Sequence, residues 1–313
     1  MAKKIKHKGI ALDSSEKFVT GLAYVLMTAF ALIAILPCIH VFSKAVSKGT
    51  YVTAGQIYFW PREFQLETIK YVLFETEFFR SLKNTMIVTG VGTLVSVLVS
   101  ITTAYPLSKP TFKGRKVITL LYVFSMVFFG GIVPAYMVVQ MLGILDTYAA
   151  MILPFAIVQF NMFIVKNYFE GLPETVEESA RIDGAGDFTV LTKIVIPMST
   201  PVIATVTLLY AINYWNNYFH AMMYTQSVDM ETLQVYLYTL IKSGSSFLEN
   251  LFSGGHTSVG TETITGAANL SVNITSEGVT AAAVSMSILP IVALYPFIQR
   301  YLIKGITIGS VKG

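Results

Sequence analysis

Six stretches of this chain run without a single Asp, Glu, Lys or Arg: 18–42, 84–107, 117–142, 147–165, 202–224 and 279–299. A helix needs about 20 apolar residues to cross the hydrocarbon core, and only a helix or a closed barrel satisfies its own backbone there. The chain therefore reads as an all-α integral membrane protein with six transmembrane helices. Composition agrees, since 54% of the 313 residues are hydrophobic and 13% are charged, whereas a soluble domain carries about a quarter charged. The first run follows Lys3, Lys4, Lys6 and Lys8, as a secretory signal would. It is longer than a signal's apolar core and no small-x-small cleavage site follows, so it is read as retained. Cys38 is the only cysteine and lies in that run, which leaves neither a disulfide framework nor a cysteine metal site.

Orientation follows from the basic residues. With the N-terminus inside, the cytoplasmic segments hold five before the first span, four in 108–116, three in 166–193 and three after 299, so 15 of the 22 lie inside. That bias is the positive-inside pattern and places both termini in the cytoplasm. The loop 108–116, SKPTFKGRK, has four basic residues and no acid. Its simplest role is to fix topology and meet anionic lipid headgroups.

The longest strongly polar stretch on that side is Glu177–Pro201, EESARIDGAGDFTVLTKIVIPMSTP. Thr175 with Glu178 fits a capping box, Pro173 suits a first turn, and Glu174, Glu177 and Glu178 favour the positive end of a helix. Asp183, Gly184, Ala185 and Gly186 are turn chemistry. A second helical piece from Asp187 to about Val195 would put Phe188, Leu191 and Val195 on one face, with Pro197 and Pro201 punctuating the entry to the next span. The expected result is an L-shaped knuckle. Its plainer alternative is an amphipathic connector between two spans.

These residues resemble the EAA loop of the membrane subunits of binding-protein-dependent ABC importers. Glu178, Ser179, Ala180, Asp183, Gly184, Ala185, Phe188, Ile194, Pro197 and Pro201 occupy that motif's places, with Ser179 replacing the middle alanine of E-A-A. The wording EESARIDGAGDF, together with the ending PFIQRYLIKGITIGSVKG, is similar to the carbohydrate branch of that family, of maltose-permease type. The resemblance implies a type I importer transmembrane domain: a tail over 1–17, then one domain over 18–313. Within it lie a coupling loop at 170–200 between helices 4 and 5, a long external loop at 225–278 and a cytoplasmic tail at 300–313. It implies a multi-pass protein of the bacterial plasma membrane that catalyses nothing itself. Its partners would be a second homologous permease, a dimer of ATP-binding subunits, an extracellular sugar-binding protein, a carbohydrate and membrane lipid, with no nucleic acid. No G-x-x-x-x-G-K-[ST] loop is present, so ATP and Mg would be bound by the partner ATPase and this chain would hold no cofactor or metal. Glu177, Glu178, Ser179, Ala180, Asp183, Gly184, Ala185, Phe188 and Pro197 would be the ATPase-coupling residues. Gly254, Gly255 and His256 would be tip residues of the external loop that meet the binding protein.

The fifth apolar run holds the most polar membrane chemistry: Tyr210, Asn213, Tyr214, Trp215, Asn216, Asn217, Tyr218 and His220. Polar side chains at that depth usually face a bundle interior or a wet path. Rings stack on the C–H faces of a sugar and amides bond its hydroxyls, so Tyr210, Asn213, Tyr214 and Asn217, spaced by 3 and 4, are the candidate path lining. Gln140, Gln159 and Asn161 are candidate additions. The alternative for each is interhelical hydrogen bonding. Gly90, Gly92, Ser96 and Ser100 would let helices approach closely, and prolines 37, 106, 134 and 154 could kink their spans. Trp60 and its aromatic neighbours Tyr58 and Phe59 would form an interfacial belt. Two other functional classes are weaker. An ion-coupled transporter would want ionisable residues inside its spans, and a membrane enzyme would want a nucleophile elbow or metal motif. An importer permease for a non-sugar solute is the nearer alternative.

Overall fold

The computed structural model describes residues 14–242 and 274–310. The described residues are helical, with no strand beyond an isolated bridge between Ser47 and Phe64. They form two compact units, one reaching Ile69 and resuming at 274–285, the other running from Lys70 to 242 and resuming at Met286. Gly254, Gly255 and His256 lie outside the described residues.

In the first unit, α1 (Ser14–Ala45) is long and apolar enough to cross a membrane, and its most apolar window has none of its residues buried within the chain. Its far end is tied down instead. His40 Nδ1 lies 2.6 Å from the Tyr58 carbonyl, and Ser43 Oγ donates to the Phe59 carbonyl at 2.7 Å. The short α2 (Gly49–Thr53) follows, and Glu63 accepts from Lys48 Nζ at 2.7 Å and Tyr51 OH at 3.0 Å. These bonds order a loop that leaves Trp60 84% exposed, in keeping with an aromatic side chain at an interface. Next comes α3 (Glu67–Phe74), with Val72 buried.

The second unit is organised around α4 (Phe78–Ser108), a continuous helix of spanning length. Three further spans are bent. α5 (Arg115–Val127) and α6 (Ile132–Met141) meet at 116°. α7 (Tyr148–Ile152) runs into a 3-10 turn at Leu153–Phe155 and meets α8 (Gln159–Glu170) at 51°. After the polar α9 (Glu174–Ile182), α10 (Asp187–Met198) meets α11 (Thr200–Trp215) at 83°. The short α12 (Phe219–Tyr224), a helix α13 over 233–242 and α14 (Ser276–Ser310) complete the order. Counting each bent pair once, six segments among the described residues have the length and composition of spans.

The apolar runs over 117–142, 147–165 and 202–224 are each broken, and the kink expected at Pro154 is among the breaks. The first breaks at 128–131, where Gly131 takes φ +97°, a conformation that costs a glycine little. The second breaks where Pro154 has no N–H to continue the ladder. The third leaves helical geometry between Trp215 and Phe219.

The face of α4 explains how the bent spans are held. Asn84, Val88, Gly92, Ser96, Ser100, Ala104 and Ser108 recur every four residues and all are buried. The small middle members form a groove, and α11 and α8 pack into it more extensively than any other elements. Val88, Ala104, Phe169, Val190, Leu191, Val195, Val206 and Tyr210 belong to one hydrophobic cluster built on that groove. Gly92 is the tightest point: a Cβ there would lie 2.8 Å from the Tyr214 ring. Gly90, which sequence reasoning grouped with it, has open space around it. Gly92→Leu is expected to destabilise the purified protein by about 1–3 kcal/mol in thermal unfolding, the usual cost of overpacking, whereas Gly90→Leu should leave the transition where it is.

Candidate functional site

The polar knuckle is built from α9, a turn and α10. Proline at 173 is the N-cap of α9, and no side-chain cap bond forms there, so the expected Thr175–Glu178 capping box is absent. The Thr175 carbonyl instead accepts from Ser179 Oγ at 2.8 Å. The helix ends at Asp183, whose N–H reaches the Ser179 carbonyl at 3.1 Å. Gly184 then takes φ +85°, and the Ala185 N–H returns to the Ala180 carbonyl at 2.9 Å. This is a left-handed helix stop, which explains why glycine stands at 184. Arg181 Nη2 bridges the corner to Asp187 Oδ1 at 2.6 Å.

Burial divides the motif residues into two faces. Ala180 and Ala185 are half-buried and pack on the α4 groove cluster. Glu178, Ser179, Asp183, Gly184 and Pro197 are exposed. So are two large apolar side chains, Ile182 at 86% and Phe188 at 78%. Phe188 had been expected to share a face with Leu191 and Val195. The structure corrects this: Val190, Leu191 and Val195 form the buried face and Phe188 points away from it. A turn of π-helix at Leu191–Val195 shifts the register between them.

Glu177 is corrected as well. It was expected among the contact residues of the coupling surface, yet it is 7% exposed. Both its carboxylate oxygens lie 2.5 Å from Lys109 Nζ, the residue that ends α4. Lys109 also lies 5.1 Å from the centroid of the Tyr105 ring. A carboxylate this buried requires its cation, so the pair fastens the knuckle to α4. Beside it, Glu170 accepts from Lys166 at 2.7 Å and pairs with Arg115. Sequence reading had given the loop holding Lys109 and Arg115 a role in topology and toward lipid headgroups, and no ion-pair partners. The available signal was complementarity: a loop with four bases and no acid precedes a helix opening with Glu174, Glu177 and Glu178.

The proposed path residues divide too. Tyr210 is fully buried; its OH lies 2.7 Å from Ser100 Oγ and accepts from the Val158 N–H at 3.0 Å. The Tyr214 OH lies 3.0 Å from Ser96 Oγ and donates to the Ile152 carbonyl at 3.1 Å. Ile152 and Val158 flank the break between α7 and α8, so these hydroxyls satisfy backbone groups that the bend releases. Tyr210 and Tyr214 thus close a broken helix from inside. Asn161 is buried. Gln159 donates to Ser125 Oγ at 3.2 Å, and Asn217 Oδ1 lies 3.0 Å from His220 Nδ1. Asn213 and Gln140 are exposed. The structure therefore joins Tyr210 and Tyr214, and leaves Asn213, Asn217 and Gln140 as polar groups at or near a surface.

At the opposite end of α4, Asn84 is saturated. Its Nδ2 donates to the carbonyls of Asp229 at 2.8 Å and Glu231 at 2.9 Å, and its Oδ1 accepts from Tyr148 OH at 2.7 Å. Asp146, at φ +57°, accepts from the N–H groups of Gln226 and Ser227 and from Ser227 Oγ, all within 3.1 Å. Those donors hold its carboxyl below the ordinary carboxylate range, the Gln226 backbone N–H foremost. Among the described residues no cluster of His, Cys, Asp and Glu has metal-binding geometry.

Two outcomes follow. Lys109→Ala should cost about 3 kcal/mol in denaturant or thermal unfolding, the low end for a buried pair because 21% of the Lys109 side chain is exposed. Glu177→Ala added to it should recover most of that loss in a double-mutant cycle. A carboxyl with a lowered folded-state pKa stabilises above its unfolded value, near 3.9, and loses that contribution as pH falls through the folded value. Melting profiles of wild type and Asp146→Asn should therefore differ at neutral pH and converge below about pH 4.

Comparison with known proteins gives consistent matches. The family model for binding-protein-dependent transport system inner membrane components matches residues 93–308. Protein LplC of Bacillus subtilis is 39% identical over 281 residues, covering 90% of this chain and 90% of that one. The polygalacturonan/rhamnogalacturonan transport system permease protein YtcP of the same organism is 36% identical over 292 residues, covering 93% and 97%. Among solved structures, a bacterial ABC transporter involved in the import of the acidic polysaccharide alginate superposes with a TM-score of 0.80 at 34% identity, over 92% of this chain and 98% of that one.

Proposed function

Because the chain belongs to the family of binding-protein-dependent transport system inner membrane components, we propose that it is the membrane-spanning subunit of an ATP-driven oligosaccharide importer. It works with a second permease, a pair of ATP-binding subunits and an external sugar-binding protein. The observation that carries the coupling part of this reading is the two-faced knuckle: Ala180 and Ala185 packed on the α4 groove, Glu177 fastened to Lys109, and Ile182 and Phe188 held out. Two exposed apolar side chains beside exposed Glu178 and Asp183 match what a partner's groove takes, an apolar anchor with a polar rim. ATP and its Mg belong to that partner, and this chain performs no catalysis of its own.

The knuckle continues directly into two bent spans. α8 leads into α9, and α10 leads into α11. A displacement of the knuckle by a closing ATPase dimer is passed to both helices and, through Lys109, to α4. This is what alternating access between two states requires. Residues 18–313 act as one transmembrane domain with both termini in the cytoplasm. The path is lined by Asn213, Asn217 and Gln140 rather than by the two buried tyrosines. For the cargo, YtcP is named for polygalacturonan and rhamnogalacturonan, and the alginate transporter for an acidic polysaccharide. Oligosaccharides released from such polymers are the favoured class here, with neutral oligosaccharides the second.

Affinity capture of the tagged chain from its own membrane, followed by uptake assays, tests this reading. Wild type should bring down an ATP-binding subunit and a second permease. Ile182→Asp with Phe188→Asp should lose the ATP-binding subunit, keep the second permease and abolish uptake of uronate oligosaccharides. Capture of no ATP-binding subunit by wild type in mild detergent would sink the proposal. Uptake confined to neutral sugars would overturn the acidic cargo alone.

A further inference from the structure

One cleft in the second unit is left unused by the importer reading. It has a volume of about 880 Å³ and lies beside the loop that joins α4 to α5. Its polar end carries Arg115, Lys116 and Lys166; its floor is Phe112, Val117, Leu120 and Val123. Three cations meet one carboxylate there, since Arg115 and Lys166 share Glu170 and Lys116 has no ion-pair partner among the described residues. Lys166 is 7% exposed, so part of this charge is built into the wall and does not wave in solvent.

A second observation points the same way. Thr102, Thr192, Thr205, Thr207 and Thr225 each donate to the carbonyl four residues back, the ordinary resting place for a threonine in an apolar helix. Thr119 does not, in common with Thr89, Thr93 and Thr232: its Oγ1 is buried and has no partner among the described residues, and the residue borders the cleft between Lys116 and Val123. A hydroxyl left in that state costs about 1–3 kcal/mol unless something meets it.

Cations and a hydroxyl at one end, with an apolar slot running down α5 from them, suit a molecule that is anionic at its head and hydrocarbon below. On the same helix Val117 and Leu120 are exposed, at 64% and 67%. The basic end lies on the knuckle side, because Lys109 in the same loop reaches Glu177. We propose that this cleft is a binding site for an anionic phospholipid of the leaflet on the knuckle side. Lys116 and Arg115 take the phosphate, and Val117, Leu120 and Val123 take the upper acyl chain. Basic pockets between transmembrane helices hold anionic headgroups in this way. A free inorganic anion would use the cations and leave the apolar floor wet.

The test uses the full chain, purified in mild detergent with whatever subunits accompany it, delipidated, and titrated with phosphatidylglycerol while adducts are read by native mass spectrometry. Wild type should retain phosphatidylglycerol and not phosphatidylcholine, and excess inorganic phosphate should not displace it. Lys116→Gln should weaken retention about fivefold, the effect of one basic charge near a membrane surface. Leu120→Trp should block it with no change of charge, which keeps the outcome readable if either variant alone folds poorly. Lys70→Gln, an equal charge change outside the cleft, should behave as wild type. Equal retention by wild type and both cleft variants, or equal binding of the two lipids, overturns the proposal. Displacement by phosphate would assign an anion site without lipid. Binding that appears only after partner subunits are stripped away would assign the cleft to a protein contact.

Discussion

A helix that bends within a bilayer releases backbone groups that no water is there to satisfy, and each one left open costs several kcal/mol. The break between α7 and α8 meets that demand with side chains from two other helices. Tyr214 donates to Ile152, Tyr210 accepts from Val158, and Ser96 and Ser100 of α4 complete the hydroxyl pairs. One set of bonds therefore fixes α4, α8 and α11 against one another. The small-residue stripe of α4 exists to let the two rings in. Gly92 has no side chain because the Tyr214 ring occupies the place of its Cβ. The bend, the stripe and the two tyrosines are a single interaction seen from three helices.

The same three helices carry the polar knuckle, and this is where packing becomes function. Charge does on the polar side what hydroxyls do at depth. Lys109 and Glu177 join the end of α4 to α9 at 2.5 Å, and Glu170 gathers Lys166 and Arg115 beside them. Buried ion pairs add little net stability, but removing one partner is costly, so they specify where an element sits. The knuckle is thus stiff toward the membrane and open toward solvent, with Ile182 and Phe188 outward.

The spans were legible because length and absence of charge are properties of single segments, and crossing a bilayer demands both. The knuckle was legible because Gly184 and its flanking acids are local chemistry, and the resemblance of ten positions gave it a role. Gly92, Ser96 and Ser100 were recognised as close-approach residues and do approach closely, while Gly90, two residues away, faces open space. What could not be read was partnership. A tyrosine that stacks on a sugar and one that plugs a broken helix have the same spacing and hydropathy, so Tyr210 and Tyr214 looked like lining. Lys109 and Glu177 are 68 residues apart and Asn84 meets carbonyls 145 and 147 residues away, distances over which no periodicity carries information. Phe188 was misplaced because a π turn changes the register that a 3.6-residue period assumes.

The isolation of α1 has a consequence for biogenesis. Among the described residues none in its apolar window is buried, so this span has little packing to wait for when it enters the membrane. The lysines before it then fix its direction while the bent, mutually dependent helices are still being made. The early segment sets the polarity of the membrane topology, and the later ones inherit it. Errors in the α4 groove would accordingly yield chains that are inserted the right way round and misassembled, a substrate for membrane proteolysis rather than for cytosolic chaperones.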